Sequence, residues 1–182
     1  VIPLNLNDLE RITGKNMMAR PDLPVIPGME VMGKVVAVGE GIGDWLDRRV
    51  AAMPKQATGG FAEYSICPVA SAFDMPEDIA LPQAGALYFP YHLAWLGLVD
   101  RAELQAGESV LVHAGAGGAG SAAIQWAKHS GARVFATAGS EAKVQLCREL
   151  GADVAINYAT EDFSQIVMNE TNARGVDVVF DT

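Results

Sequence analysis

Four glycines fall within six consecutive positions of this chain, in the stretch VLVHAGAGGAGSAAIQWA that runs from Val110 to Ala127. Glycine loses more conformational freedom on folding than any other residue, so a cluster of glycines is costly unless the backbone requires it. The requirement is either a positive φ angle or the close approach of another group. The apolar run before the cluster predicts a strand, and the periodic run after it predicts a helix.

The cluster fits the pattern G-x-G-x-x-G, with Gly115, Gly117 and Gly120 at its glycine positions. Between a strand and a helix, the first glycine allows a tight turn, the second lets the backbone approach a pyrophosphate, and the third lets the helix pack closely on the strand. The helix N-terminus then favours a phosphate. The stretch therefore predicts a dinucleotide site, with a turn that serves only helix–sheet packing as the alternative. A P-loop is disfavoured, because Ser121 and Ala122 stand where that motif needs Lys and Ser or Thr.

From Glu108 onward, short apolar runs alternate with helical patterns. Strands are predicted in SVLVHA, ARVFATA, DVAIN and GVDVVFDT, and helices from Gly118 to Ser130 and in SEAKVQLCRELG and TEDFSQIVMNETN. Ser140 is the candidate N-cap of the second helix, and Gly151 is its candidate stop. This alternation predicts βαβ units and a doubly wound parallel sheet, which is an α/β fold.

The chain before about Asp100 is irregular in pattern and is predicted to be strand-rich. Strands are predicted in Gly33–Gly41, which is bounded by glycines, and in Arg48–Met53 and Gly59–Cys67. The following stretch, Pro76–Val99, is predicted to be partly helical.

Composition excludes several classes of function. The chain has 182 residues and a formal net charge of −9, which argues against nucleic acid or an anionic membrane surface as the main partner. Its two cysteines form no C-x-x-C pair, so neither a zinc ribbon nor a disulfide framework is indicated, and a cytoplasmic location is expected. No apolar run reaches the length of a membrane span, and the first residues are not typical of a secretory signal.

The end of the second predicted strand bears on the choice of coenzyme. NAD sites usually carry Asp or Glu there, where it binds the ribose 2′-hydroxyl. Here Gly139 follows the strand, and Ser140 and Lys143 can hydrogen-bond and neutralise a 2′-phosphate, so NADPH is predicted. The alternatives are that Ser140 only caps a helix, that Lys143 is only solvated, and that Glu141 binds the ribose of NADH.

Three segments together carry a resemblance to a known family. They are PGMEVMGKV from Pro27 to Val35, GGFAEY from Gly59 to Tyr64, and the glycine loop. In combination they resemble the zinc-independent quinone oxidoreductase branch of the medium-chain dehydrogenase/reductase superfamily, which includes zeta-crystallin and VAT-1-like members. The resemblance implies a GroES-like domain over residues 1–100, a Rossmann NADPH-binding domain over residues 101–182, and a possible homodimer. Since family members are considerably longer, both domains are expected to be partial and the chain to be a fragment.

A catalytic zinc is not expected. Zinc-dependent members of the superfamily have Gly-His-Glu in the first of these segments, where this chain has Gly28, Met29 and Glu30. The three histidines are scattered and show no metal-ligand spacing. Glu30 is therefore expected to be structural.

The family reaction is hydride transfer from NADPH to a quinone or to an α,β-unsaturated carbonyl compound. The resemblance carries over Asn5 as a residue beside the nicotinamide, and it places Leu93 where the family has a nicotinamide-contacting Thr. Tyr158 matches a tyrosine that flanks the 2′-phosphate. The predicted cofactor residues are Gly115, Gly117, Gly118, Ala119, Gly120, Ser140, Lys143 and Tyr158.

Two other functions remain open. The first is an enoyl reductase module of a fatty-acid or polyketide assembly line; related enoyl-thioester reductases carry a catalytic Tyr two residues after a conserved Gly, whereas Gly14 is followed here by Lys15 and Asn16. The second is a non-catalytic, NADPH-binding scaffold.

Overall fold

The computed structural model describes residues 1–15 and 22–181. The chain forms two compact units, Val1–Tyr88 and Phe89–Thr182, which are taken in turn below. The sequence predicts domain limits at 1–100 and 101–182, and these limits stay predictions.

In its described residues, 1–15 and 22–88, the first unit contains a small antiparallel sheet and two short α-helices. The strands run in the order β1-β2-β3, and Ala51 in the central strand lies opposite Met32 on one side and Phe73 on the other. The strands are β1 (Val31–Lys34), β2 (Arg49–Ala52) and β3 (Ala72–Asp74), and the helices are α1 (Leu6–Ile12) and α2 (Leu81–Gly85).

One strand predicted in this unit is wrong. Residues 59–67 contain no strand, and β3 comes later in the chain. The reason is a backbone-to-backbone contact: the Gly60 N–H donates to the Gly28 carbonyl at 3.0 Å, and a Cβ on Gly28 would lie 2.6 Å from the nitrogen of Phe61. This contact holds the segment as a loop against Pro27 and Gly28. The strand predicted in residues 33–41 begins earlier and ends at Lys34.

The second unit is a four-stranded parallel sheet with the order β6-β5-β4-β7. All of the strands and helices predicted after Glu108 are confirmed. The strands are β4 (Ser109–Val112), β5 (Arg133–Ala138), β6 (Val154–Asn157) and β7 (Val178–Phe180). The helices are α3 (Tyr88–Trp95), continued by a π-helical turn (Leu96–Arg101), then α4 (Gly118–His129), α5 (Glu141–Glu149) and α6 (Phe163–Glu170).

Alternate residues of each strand point to opposite faces of the sheet, and helices cover both faces. Val112, Ala136 and Ala138 belong to the buried cluster that includes Ile124 of α4 and Cys147 of α5. On the other face, a second cluster is built by Leu111, Phe135, Ile156 and Val167. Such a sheet presents its ligand site at the carboxyl ends of the strands. In the described part of the chain, no helix is both long and apolar enough to cross a membrane.

Candidate cofactor-binding site

The glycine loop connects the carboxyl end of β4 to the N-terminus of α4. Its one residue with a positive φ is Ala114, at 50°, whereas Gly115, Gly117 and Gly120 have no positive φ. The tight turn expected at Gly115 is therefore made one residue earlier. This left-handed turn aims the Ala114 carbonyl into the loop, where it accepts the N–H of Gly117 at 2.8 Å.

Glycine is required at positions 115 and 120 because a side chain would not fit there, and not because of the φ angle. A Cβ on Gly120 would overlap the carbonyl oxygen of Ala114 and would lie 2.9 Å from its carbonyl carbon. A Cβ on Gly115 would lie 2.8 Å from the Sγ of Cys147, a residue of α5 that packs against the loop. By contrast, a Cβ on Gly118 would meet only the Pro90 ring, at an ordinary 3.7 Å.

The N-terminus of α4 provides donors for an anion. Gly117 is the N-cap residue, and the Ser121 N–H makes the first bond of the helix, to the Gly117 carbonyl, at 2.9 Å. The N–H groups of Gly118, Ala119 and Gly120 precede that bond, so they are the helix's initial donors. The glycines of the loop carry no side chains, so a pyrophosphate can approach these donors.

His113 and Thr137 fix the start of the loop, and sequence reasoning did not identify either residue. The Thr137 carbonyl accepts the N–H of Gly115 at 2.9 Å, and the Thr137 hydroxyl lies 2.9 Å from Nδ1 of His113. The His113 ring also packs edge-on against Phe163, with centroids 5.1 Å apart. No spacing in the sequence signals this pairing, because the two side chains meet only when β4 and β5 are adjacent.

The end of β5 brings together the residues predicted to read the ribose. Ser140 is the N-cap of α5 in an extended conformation, and its side chain makes no capping hydrogen bond. Glu141 and Lys143 are exposed in the first turn of α5. Tyr158 follows β6, donates its N–H to the Ala138 carbonyl at 3.1 Å, and lays its ring over Gly139. This edge carries a lysine and a tyrosine, and the residue directly after the strand has no side chain.

The predicted pocket residues Asn5 and Leu93 lie in different units. Asn5 begins α1, and its side-chain amide donates to the Glu30 carboxylate at 2.7 Å. Glu30 is 1% exposed. The neighbouring Asp8 is also buried and accepts the N–H groups of Asn5 and Gly28, at 3.0 and 3.2 Å. The role expected for Glu30, holding turns in place, agrees with this network.

Leu93 is half-buried on α3. Asn16, which stands where enoyl-thioester reductases carry Tyr, lies outside the described residues. Across residues 1–15 and 22–181, no group of three or more His, Cys, Asp or Glu side chains could hold a metal ion.

Two family models match the chain. Residues 2–77 match the alcohol dehydrogenase GroES-like domain, and residues 118–182 match the zinc-binding dehydrogenase domain. These matches and the sheet topology confirm the predicted architecture, a GroES-like unit followed by a Rossmann-like parallel sheet.

Curated relatives match over most of this chain. The chain is 40% identical over 164 residues to the mouse synaptic vesicle membrane protein VAT-1 homolog and 32% identical over 162 residues to pig quinone oxidoreductase, covering 88% and 89% of this chain. It is 36% identical over 160 residues, 85% of the chain, to a mycocerosic acid synthase-like polyketide synthase of Mycolicibacterium smegmatis. The chain spans 39%, 49% and 7% of these relatives' lengths, respectively.

A solved structure has the same fold. The mycobacterial protein Rv1454c, whose structure is described as complexed with NADPH, superposes with a TM-score of 0.89 at 32% identity. The match covers 99% of this chain and 56% of that one.

Proposed function

The chain belongs to the medium-chain dehydrogenase/reductase family, and on that basis we propose that it binds NADPH and serves hydride transfer to a quinone or an α,β-unsaturated carbonyl compound, without zinc. The observation that carries the proposal is the edge formed by the carboxyl ends of β4 and β5. There the initial N–H groups of α4 face the glycine loop, and the first turn of α5 carries Lys143 beside a strand end that has no carboxylate.

Each part of this edge has a role in holding the cofactor. The N–H groups of Gly118, Ala119 and Gly120 bind the pyrophosphate, and the absence of side chains at Gly115 and Gly117 leaves the backbone accessible. Lys143 and Ser140 bind the 2′-phosphate, and Tyr158 flanks it. NADPH supplies the hydride when it is bound, so the protein's task is to orient the cofactor and exclude water.

The substrate class is supported by Leu93 and Asn5, taken separately, and by the relatives. Leu93 offers an apolar side chain that cannot hydrogen-bond, which suits a conjugated, weakly polar acceptor. In the first unit, Asn5 is the candidate residue beside the nicotinamide, and its bond to Glu30 orients it. The pig relative is named a quinone oxidoreductase.

An enoyl reductase module is the second candidate. The observation in its favour is the 36% identity to a polyketide synthase, which is as strong as the similarity to the quinone oxidoreductase. Such a module would reduce an enoyl thioester rather than a free quinone.

Coenzyme binding is the direct test. NADPH and NADH are titrated by fluorescence against the protein, its Lys143→Ala variant, and a control variant, Lys55→Ala, which changes an exposed lysine of the first unit. We expect wild type to prefer NADPH, and Lys143→Ala to weaken NADPH binding by roughly tenfold while leaving NADH unchanged. Lys55→Ala should behave as wild type. Equal binding of the two coenzymes by wild type would contradict the proposal.

Substrate class is tested with three acceptors: a simple quinone, a simple enone and an enoyl thioester. NADPH oxidation with the first two supports the proposal. Oxidation with the thioester alone supports the enoyl reductase, and NADPH binding without oxidation of any acceptor supports the scaffold function.

A further inference from the structure

The Tyr158 ring occupies the space that a side chain on Gly139 would need. A Cβ on Gly139 would lie 2.6 Å from the Oη of Tyr158, 2.9 Å from its Cζ and 3.3 Å from its Cε2. Distances below 3.0 Å are ones that real Cβ atoms essentially never show. The φ of Gly139 is not positive, so no left-handed conformation requires glycine there. A side chain at position 139 would therefore need the Tyr158 ring, the far end of a flexible side chain, to move aside.

The strands hold the backbone of Tyr158 in place. Ala138, the last residue of β5, lies opposite Asn157, the last residue of β6, in the parallel pairing. Tyr158 follows and donates its N–H to the Ala138 carbonyl, which fixes its backbone beside Gly139. Tyr158 is 57% exposed, so its ring rests on the backbone after β5 and its remaining surface faces solvent.

In dinucleotide-binding folds, the residue at the position of Gly139 selects between NADH and NADPH. An acidic side chain directly after the second strand binds the ribose 2′-hydroxyl of NADH and repels the 2′-phosphate of NADPH. In this chain the Cβ of such a residue would lie against the phenol end of Tyr158, so the ring would have to move. The space that a carboxylate side chain would need is thus occupied by a residue that follows another strand, β6.

We propose that Gly139 and Tyr158 form a coupled pair that determines coenzyme selectivity. The ring occupies the space of a side chain at position 139, so an acidic residue there competes with the ring for the place beside the ribose. The inference rests on the proposed NADPH-binding function, and it adds that the two positions cannot change independently.

The test is a double-mutant cycle measured by binding. Gly139→Asp, Tyr158→Ala and the variant with both changes are titrated with NADPH, NADH and the fragment 2′,5′-ADP, which reports on the adenosine end alone. We expect Gly139→Asp alone to weaken NADPH and 2′,5′-ADP at least tenfold without tightening NADH. In the presence of Tyr158→Ala, the same change should tighten NADH by about tenfold, which corresponds to ~1.4 kcal/mol of coupling.

Equal gains in NADH affinity with and without Tyr158→Ala would overturn the inference, because the positions would then be independent. A steric cycle with Gly139→Ala covers the case in which Gly139→Asp does not fold. Its thermal midpoint should fall with Tyr158 present and fall much less in the Tyr158→Ala background; equal losses would again overturn the pairing. If wild type prefers neither coenzyme, the proposed function fails, whereas this stability cycle still decides the pairing.

Discussion

The Ala114 carbonyl occupies the space that a side chain on Gly120 would need. Ala114 adopts a left-handed conformation, with φ at 50°, and its carbonyl oxygen accepts the Gly117 N–H at 2.8 Å. A Cβ on Gly120 would overlap that oxygen and would lie 2.9 Å from the Cα of Gly115. The third glycine of the loop is thus determined by the conformation of a residue that is not a glycine.

Gly120→Ala is expected to destabilise the second unit and to damage coenzyme binding. The clash is with backbone, which cannot move without opening the loop, so an overpacking loss of about 1–3 kcal/mol is expected. NADPH affinity should fall by at least about tenfold, because the initial N–H groups of α4 are displaced. Urea unfolding and NADPH titration measure the two effects.

The matched control for this variant is Gly118→Ala, two positions earlier in the same loop. Its Cβ would meet only the Pro90 ring, at 3.7 Å, so stability should stay within about 0.5 kcal/mol of wild type. Similar losses in both variants would mean that the loop tolerates no side chain at all, and that the Ala114 carbonyl is not the cause.

Ala114→Gly is expected to be neutral or stabilising. A left-handed conformation costs a non-glycine residue roughly 1–2 kcal/mol, whereas glycine at this position costs about 0.4–1 kcal/mol through the unfolded chain. The net change is a gain of about 0–1.5 kcal/mol, measured by urea unfolding. Ala116→Gly, in the same loop at a position without positive φ, should instead lose stability, and equal effects in the two variants would refute the argument.

Gly115→Ala is expected to be destabilising, and Cys147 is expected to account for part of the loss. The new Cβ would lie 2.8 Å from the cysteine Sγ, and also 3.0 Å from Cδ1 of Ile124 and 3.1 Å from Cβ of Ala136. Cys147→Ala removes only the first of these contacts, so the double variant should recover part of the stability, with a coupling of ~0.5–2 kcal/mol in unfolding free energy. Strict additivity of the two changes would show that the sulfur is not the obstruction.

The sequence predicted the second unit well, because its signals are local. The runs SVLVHA and ARVFATA have apolar side chains on both faces of a covered sheet, and Ser140 and Gly151 mark the ends of a helix. Gly151 follows the end of the helix, as the sequence predicted, and its φ is 112°.

The parts that the sequence did not predict depend on contacts between distant segments. The segment at residues 59–67 was predicted to be a strand, but backbone contacts such as that of Gly60 with Gly28 hold it as a loop. Likewise, the glycine pattern located the candidate site, but the obstructing groups come from Cys147 on α5 and Tyr158 after β6. The left-handed Ala114 has no sequence signal, since alanine rarely adopts that conformation.

Asp177 links the starts of β4 and β7 and should make the second unit sensitive to acid. Its carboxylate pairs with Arg174 at 2.5 Å and accepts the hydroxyl and the N–H of Ser109, both at 2.7 Å. The hydrogen bond from Arg174, followed by those from Ser109, holds the pKa of this carboxyl well below its usual range. A carboxyl whose pKa is lower in the folded than in the unfolded state adds stability above about pH 4, and that stability is lost as the pH falls through the folded-state pKa.

Asp177→Asn should therefore lower the urea midpoint at pH 7, where the wild-type carboxylate is charged and fully bonded. The difference between wild type and variant should shrink as the pH is lowered from about 4 toward 2, because wild type loses the contribution that the variant never had. Asp181→Asn, which changes an exposed carboxylate at the end of the chain, is the control and should leave the midpoint unchanged at both pH values. A difference in urea midpoint between Asp177→Asn and wild type that stays constant down to pH 2 would contradict this prediction. It would mean that the variant is less stable because the Asn amide does not fit the site, and that the charge of Asp177 does not stabilise the sheet.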